Sequence, residues 1–325
     1  MNKDGGSDIC RRSFYANLYK CEEHLSKSAH EFREAVETDF YIMYNKNGDK
    51  NQMLYREGFD MLQLGINTVL FKAVDVKTAL KAIKLAGYDG AELSAIQGMC
   101  EHIVLDAWET QAPIVKAAAA EAGVKLLSME VASLDEERLK KAFEAARYLS
   151  IPVVNVGPGG KSDVEEDFQE TIKKLTARAQ LAKEYGVKLC CKAHVNSSIY
   201  STPTTLRAME LIDLDSFGVD MDPSHIHRAG EKPEDALASV VSRMGHVHIR
   251  DCYGPGPSPG EPAKQACGRG EINLYGYFKA LVDANYDGPV CLEVIGPEQT
   301  LQQAQAIASE SYGYMNAILK ILGAR

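Results

Sequence analysis

From Leu62 onward the chain alternates between short, continuously apolar runs and longer stretches whose apolar residues recur every three or four positions. The first run, LGINTVLF (64–71), leads into VKTALKAIKLAG (76–87), which closes on a glycine. Short apolar runs predict buried strands, and a 3.6-residue period with a glycine stop predicts an amphipathic helix. The pairing then repeats. GAELSA (90–95) precedes a helical pattern within 106–122, VKLLSME (124–130) precedes 135–149, and VVNVG (153–157) precedes 165–185. VKLCCKAH (187–194) precedes 202–212, FGVDMD (217–222) precedes 233–243, HVHIRD (246–251) precedes 272–285, and PVCLEVIG (289–296) precedes 299–320.

Eight strand–helix units in about 260 residues predict an α/β fold of the (β/α)8 TIM barrel type, because an open doubly wound sheet usually stops at five or six strands. The strands are nearly unbroken apolar runs, as expected where both faces are covered. No linker divides the repeating region, so residues 61–325 read as one barrel domain. Residues 1–60 have another character: they are rich in charge and asparagine, and the helix-like stretch Leu18–Val36 has no strand before it. They read as an N-terminal extension or arm. The longest irregular insertion, YGPGPSPGEPAKQACGRG (253–270), follows the seventh strand and is expected to act as a lid over the barrel mouth.

Composition narrows the function. The 325 residues are 45% hydrophobic and 25% charged, and 45 acidic against 36 basic residues give a net charge of −9. That balance opposes nucleic acid or an anionic membrane as the main partner. No apolar stretch approaches the roughly 18 residues of a membrane-spanning helix, and the first residues lack the apolar segment of an export signal. The eight cysteines are scattered without a CxxC pair and read as reduced thiols. A cytoplasmic enzyme acting on a small molecule is the expectation.

Catalytic groups of a barrel project from the C-terminal ends of its strands. Polar residues at those ends are therefore the candidates: Glu92, Glu130, Asn155, Lys192 with His194, Asp222 with His225, His246, His248 and Asp251, and Glu293. Carboxylates and imidazoles converging on one mouth suit a hard divalent ion. Each also has a plainer reading. A lone glutamate can anchor a loop, DPSH can be a capped turn, and of His246 and His248 one is expected to face inward. Two glycine-rich stretches, GPGG (157–160) and GRG (268–270) with Arg269, could cradle a phosphate or could simply turn. Glu101 and His102 could contact substrate or start a helix.

The ordered series DPSH, HVHIRD, GRGEIN and CLEVIG resembles the sugar isomerase/epimerase barrels similar to xylose isomerase, over residues 62–325. The resemblance implies metal ligation by Asp222, His248 and Glu293, and a substrate contact by His225. It breaks at one point: where relatives read something like LALEPH, this chain reads LCCKAH, so Lys192 replaces a metal-binding, base-acting glutamate. Two-base epimerisation then loses a base, and one-base chemistry by His194 next to a carbonyl remains. Glu130 is the candidate for the missing ligand.

The KAH variant, with GMCEH, SME and CGRGEIN, is similar to the larger subunit of bacterial C-glycoside deglycosidases. That likeness implies a lyase that takes the C2 proton of a 3-oxo-C-glucoside and expels the aglycone from C1. It also implies a Mn2+ cofactor, with Mg2+ or Co2+ as substitutes, and a small β-sandwich partner subunit. His194 and Lys192 would then be catalytic, with His225, Glu101, His102, Arg269 and Asn155 on the substrate. The rival readings are a divalent-metal-dependent keto-sugar or sugar-phosphate epimerase or isomerase, and a non-catalytic barrel subunit.

Overall fold

A computed structural model describes residues 62–325; the expected arm over 1–60 lies outside the described residues. Eight parallel strands close on themselves: β1 (Leu64–Asn67), β2 (Gly90–Ile96), β4 (Lys125–Glu130), β5 (Val153–Val156), β6 (Lys188–Lys192), β7 (Phe217–Asp220), β8 (Met244–Ile249) and β9 (Val290–Leu292). Each pairs with its neighbour in chain order, and β1 pairs with both β9 and β2 to complete the ring. The short β3 (Cys100–Glu101) folds back antiparallel on the end of β2. The architecture is a TIM barrel, as the eight apolar runs predict.

The surrounding helices are α1 (Val76–Ala86), α2 (Trp108–Ala122), α3 (Glu136–Leu149), α4 (Glu165–Glu184), α5 (Thr202–Leu211), α6 (Pro223–Arg228), α7 (Pro233–Val240), α8 (Leu274–Asp283) and α9 (Leu301–Ile321). Their ends follow local chemistry. Asp75, Asp135 and Ser201 cap α1, α3 and α5 through side-chain oxygens, and Thr300 and Gln303 form a reciprocal box at α9. Gly87 ends α1 at φ 105°, with Tyr312 packed so closely that any Cβ there would lie 2.6 Å from its ring. The hairpin strand and α6 escape the apolar pattern because two and six residues are too few to show a period.

Strand alternation sets what fills the barrel. At its floor Gly65, Gly90, Gly218 and Gly245 face inward around Leu127, Cys190 and Cys291; a Cβ on Gly90 would fall 2.4 Å from Leu127 Cγ. Two residues further along β1, β2 and β7 the next inward positions are Asn67, Glu92 and Asp220; on β8, whose register against β7 shifts at Gly245, they are His246 and His248. On β4, β6 and β9 the step from Ser128, Cys190 and Cys291 leads to Glu130, Lys192 and Glu293. The aliphatic layers that usually fill such barrels are thus replaced near the mouth by ionisable groups, all of them buried.

The 253–270 insertion is tied down at its base. Asp251 accepts the backbone N–H groups of Cys252, Gly268 and Ile272 at 3.0, 3.0 and 3.2 Å. Buried Gln265 both donates to and accepts from Ile295 of the following loop. Among the described residues no helix is long and apolar enough to cross a membrane, and the six cysteines are free and buried.

Candidate active site

Five buried carboxylates, from Glu92, Glu130, Asp220, Asp222 and Glu293, converge at the top of the barrel with Lys192, Arg250, His246 and His248. Charges this deep persist only when paired and hydrogen-bonded, and here each is. The Lys192 ammonium donates to both oxygens of Glu293 at 2.9 and 3.0 Å and to Glu130 at 3.3 Å. Arg250 bridges Asp222 and Glu293, at 3.0 Å to each. Asp222 also caps α6, accepting from the Ser224 backbone and hydroxyl at 2.8 and 2.7 Å, so the turn reading of DPSH holds together with its place in the network.

His246 and His248 both face inward, as positions two apart on a strand must, which revises the expectation that only one would. Their rings meet edge to face at 4.7 Å. His248 lies between two carboxylates: Nε2 is 2.5 Å from Glu92 and Nδ1 is 2.5 Å from Asp220. Asn67 donates to Glu92 and Glu130, and Asn155 donates to Glu92, fixing the carboxylate orientations.

These contacts set the protonation states. Burial works against a charged His248, but Asp220 and Glu92 outweigh it and hold the imidazolium well above the usual histidine range. Burial likewise opposes the charge on Lys192, yet Glu130 and Glu293 keep it an ammonium, its pKa raised. Glu293 lies well below the ordinary carboxylate range because Lys192 and Arg250 overcome its burial. Glu130 goes the other way: burial, then the like charge of Glu293, raise it to about 8. A neutral Glu130 beside an anionic Glu293 is the arrangement these groups favour at neutral pH.

His194 stands at the edge of this cluster, half-buried and just past the end of β6. Its Nδ1 is 2.9 Å from the Val195 carbonyl oxygen, which can only accept, so Nδ1 carries the proton and Nε2 the lone pair. Burial, then the Lys192 ammonium, lower its pKa and keep the imidazole neutral. Its ring packs on that of His225 at 4.2 Å. His225 is itself buried, accepts the Val195 N–H at 3.1 Å, and has an Arg250 nitrogen 2.8 Å from Nε2. Fully formed, this is a neutral base backed by a second ring and flanked by two fixed cations.

The remaining sequence candidates lie elsewhere. Glu101 pairs with Arg138 at 2.9 Å, and His102 bonds the Val74 carbonyl at 2.9 Å, so both organise the β2–β3 hairpin. Arg269 is exposed and paired with Glu310 on α9 at 2.6 Å. Asn155 does join the buried network. Three members were missed by sequence reading: Asn67, Asp220 and Arg250. Alternation offered the signal for two of them, since Asp220 precedes Asp222 by two positions and Arg250 follows His248 by two.

Among the described residues, three groupings of ligating atoms lie within 4.8 Å of one another, close enough to hold an ion: Glu92–Glu130–His248, Asp220–His246–His248 and Glu92–His246–Cys291. The set implied by resemblance, Asp222, His248 and Glu293 with Glu130, is not one of them. Arg250 stands between Asp222 and Glu293, Lys192 lies 3.2 Å from His248 Nδ1, and both nitrogens of His248 face carboxylates. A ligating imidazole must offer a lone pair, so this set as placed does not fit a divalent ion.

A closed parallel barrel whose mouth carries buried acids, fixed cations and a neutral imidazole defines an enzyme-like site for small polar molecules. The chain belongs to the xylose isomerase-like TIM barrel family, which it matches over residues 80–317. It is similar to the inosose dehydratase of Clostridium perfringens, with 28% identity over 143 residues, covering 40% of this chain and 48% of that protein. The chain spans about half the length of the curated relatives it matches. Among solved structures it resembles an IolI protein with a bound zinc atom (TM-score 0.67, 18% identity, 80% and 99% of the two chains). It also resembles a D-tagatose 3-epimerase-like protein (TM-score 0.65, 17% identity, 80% and 100%). Such low identities speak for the fold alone.

Proposed function

We propose that the barrel is a lyase that removes a proton α to a carbonyl and expels a group from the neighbouring carbon, its substrate a 3-oxo-C-glucoside. His194 Nε2 takes the C2 proton. The electron pair of the C2–H bond becomes the C1–C2 double bond, the bond from C1 to the aglycone carbon breaks with its pair on that carbon, and the aglycone takes up a proton. The C3 carbonyl acidifies the C2 proton, and the negative charge gathering on its oxygen meets the Lys192 and Arg250 end of the mouth.

The observation that carries this reading is the state of Lys192. Its ammonium is locked onto Glu293 and Glu130, so β6 contributes a fixed positive charge where a second base would be needed for epimerisation. One face of the substrate is then served by His194 and the other by a group that cannot accept a proton. Elimination needs one base, epimerisation two. The similarity to a dehydratase, a protein named for elimination, agrees with this. The Mn2+ expected from the sequence enters no step here, since protein cations already face the developing charge.

The choice of a C-glycoside and of a small β-sandwich partner rests on the KAH, GMCEH, SME and CGRGEIN motifs. The test is to mix the chain and that partner with a 3-oxo-C-glucoside and follow free aglycone. Release that disappears in His194→Ala supports the proposal; an epimerised keto-sugar carrying solvent deuterium, with the carbon–carbon bond intact, supports the epimerase instead.

A further inference from the structure

We propose that the Lys192 ammonium is the resident cation of this barrel, filling the position between Glu130, His248 and Glu293 that a divalent ion would otherwise take. Three carboxylate oxygens surround Nζ: both of Glu293 at 2.9 and 3.0 Å and Glu130 Oε1 at 3.3 Å, while His248 Nδ1 lies 3.2 Å away with Asp220 on its other side. Carboxylate oxygens gathered around one point are a cation's shell, here drawn at hydrogen-bond lengths. Bound Mg2+ or Zn2+ would need about 2.0–2.2 Å.

Three neighbours seal the arrangement. Arg250 holds Asp222 Oδ2 and shares Glu293 Oε2 with Lys192, so both oxygens of Glu293 are already committed to fixed cations. Asp220 and Glu92 hold the two nitrogens of His248, and neither nitrogen is left to ligate. The stem of Lys192 is rooted in β6, so its cation cannot be exchanged, chelated or replaced by a competing ion. A divalent ion entering this position would have to displace an ammonium from its two carboxylate partners inside a buried site, against direct charge repulsion. The inference concerns the cation alone and stands whichever substrate the barrel takes.

The experiment is metal analysis of the full chain after dialysis against Mn2+ or Zn2+, for the wild type and for Lys192→Glu. Wild type is expected to hold no stoichiometric ion that depends on Glu293. Lys192→Glu is expected to bind Mn2+ at least roughly 100-fold more tightly, since the change removes a fixed positive charge and adds a ligand. Should that variant fail to fold, the wild type answers by itself. Its Lys192 ammonium and His248 ring resonances, read in 1H–15N spectra, should remain unbroadened when one equivalent of paramagnetic Mn2+ is added. A stoichiometric ion in the wild type that Glu293→Gln removes, or broadening of those resonances, would overturn the proposal. So would a folded Lys192→Glu protein that binds Mn2+ no better than wild type.

Discussion

At the floor of the barrel the inward positions are Gly65, Gly90, Gly218 and Gly245, packed against Leu127, Cys190 and Cys291. One step of alternation up the same strands, the inward positions are Asn67, Glu92, Asp220, Lys192, Glu130 and Glu293, bonded only to one another and to their polar neighbours. The floor is held by steric fit, where dispersion and excluded volume decide. The mouth is held by charge balance, where the loss of any one partner leaves another ion buried and alone. The same scaffold therefore fails in different ways at its two ends, and only the mouth offers groups that can move a proton.

The sharpest contrast should come from the base. His194→Ala is expected to reduce turnover by about 10²–10⁴-fold while changing stability by less than about 1 kcal/mol, because a half-buried ring at the rim supports chemistry more than packing. Steady-state rates and a denaturant melt of the same preparation check it. A variant that loses both together would place His194 among the structural residues.

Next in size is the centre of the network. Lys192→Met leaves Glu293 and Glu130 without their shared donor and should cost about 3–5 kcal/mol of stability, as removing one partner from a buried pair does. At the floor, Gly90→Ala should cost about 1–3 kcal/mol by overpacking. The new methyl would meet Leu127 Cγ at 2.4 Å and the Lys125 carbonyl at 2.8 Å, and the backbone there has no room to yield. Chemical melts of the two variants at low and high salt should differ in stability loss but agree in being insensitive to screening, since both sites exclude solvent.

A pH dependence should separate the two ends of the barrel further. Burial and then Glu293 raise Glu130 to about 8, so the folded chain keeps that proton where the unfolded chain has released it. A group raised in this way gives its stabilisation fully below its unfolded pKa and loses it as pH climbs through the folded value. Relative to Glu130→Gln, the wild type should become progressively less stable between about pH 5 and about pH 8. Asp220, Glu92 and Glu293 are shifted downward and act in the opposite sense in both proteins, so the contribution of Glu130 is read from the difference between the two slopes. Paired urea melts across that range check the slope.

The barrel was legible because its parallel strands are apolar runs and most of its helices have a capping residue or glycine at an edge. Helix α6 and the Cys100–Glu101 hairpin were not, being shorter than any period they could display. At the site, sequence reading found Glu130, Asn155, Lys192, Asp222, His225, His248 and Glu293, all of which the structure gathers at the mouth. It could not say which cation meets which anion. That pairing depends on strand register, such as Lys192 opposite Asp220 and Asp220 opposite His246, and register is a relation between segments far apart in the chain. Glu101, His102 and Arg269 belong to quoted motifs yet are claimed by Arg138, Val74 and Glu310, partners that no local pattern reveals.

The central claim, one base and an elimination, is tested most directly with a 3-oxo-C-glucoside deuterated at C2. The account predicts free aglycone, slowed by the heavier isotope, with no C2 epimer at any time in the reaction. Recovery of intact substrate inverted at its α-carbon, with solvent hydrogen in place of the label and no aglycone released, would contradict it.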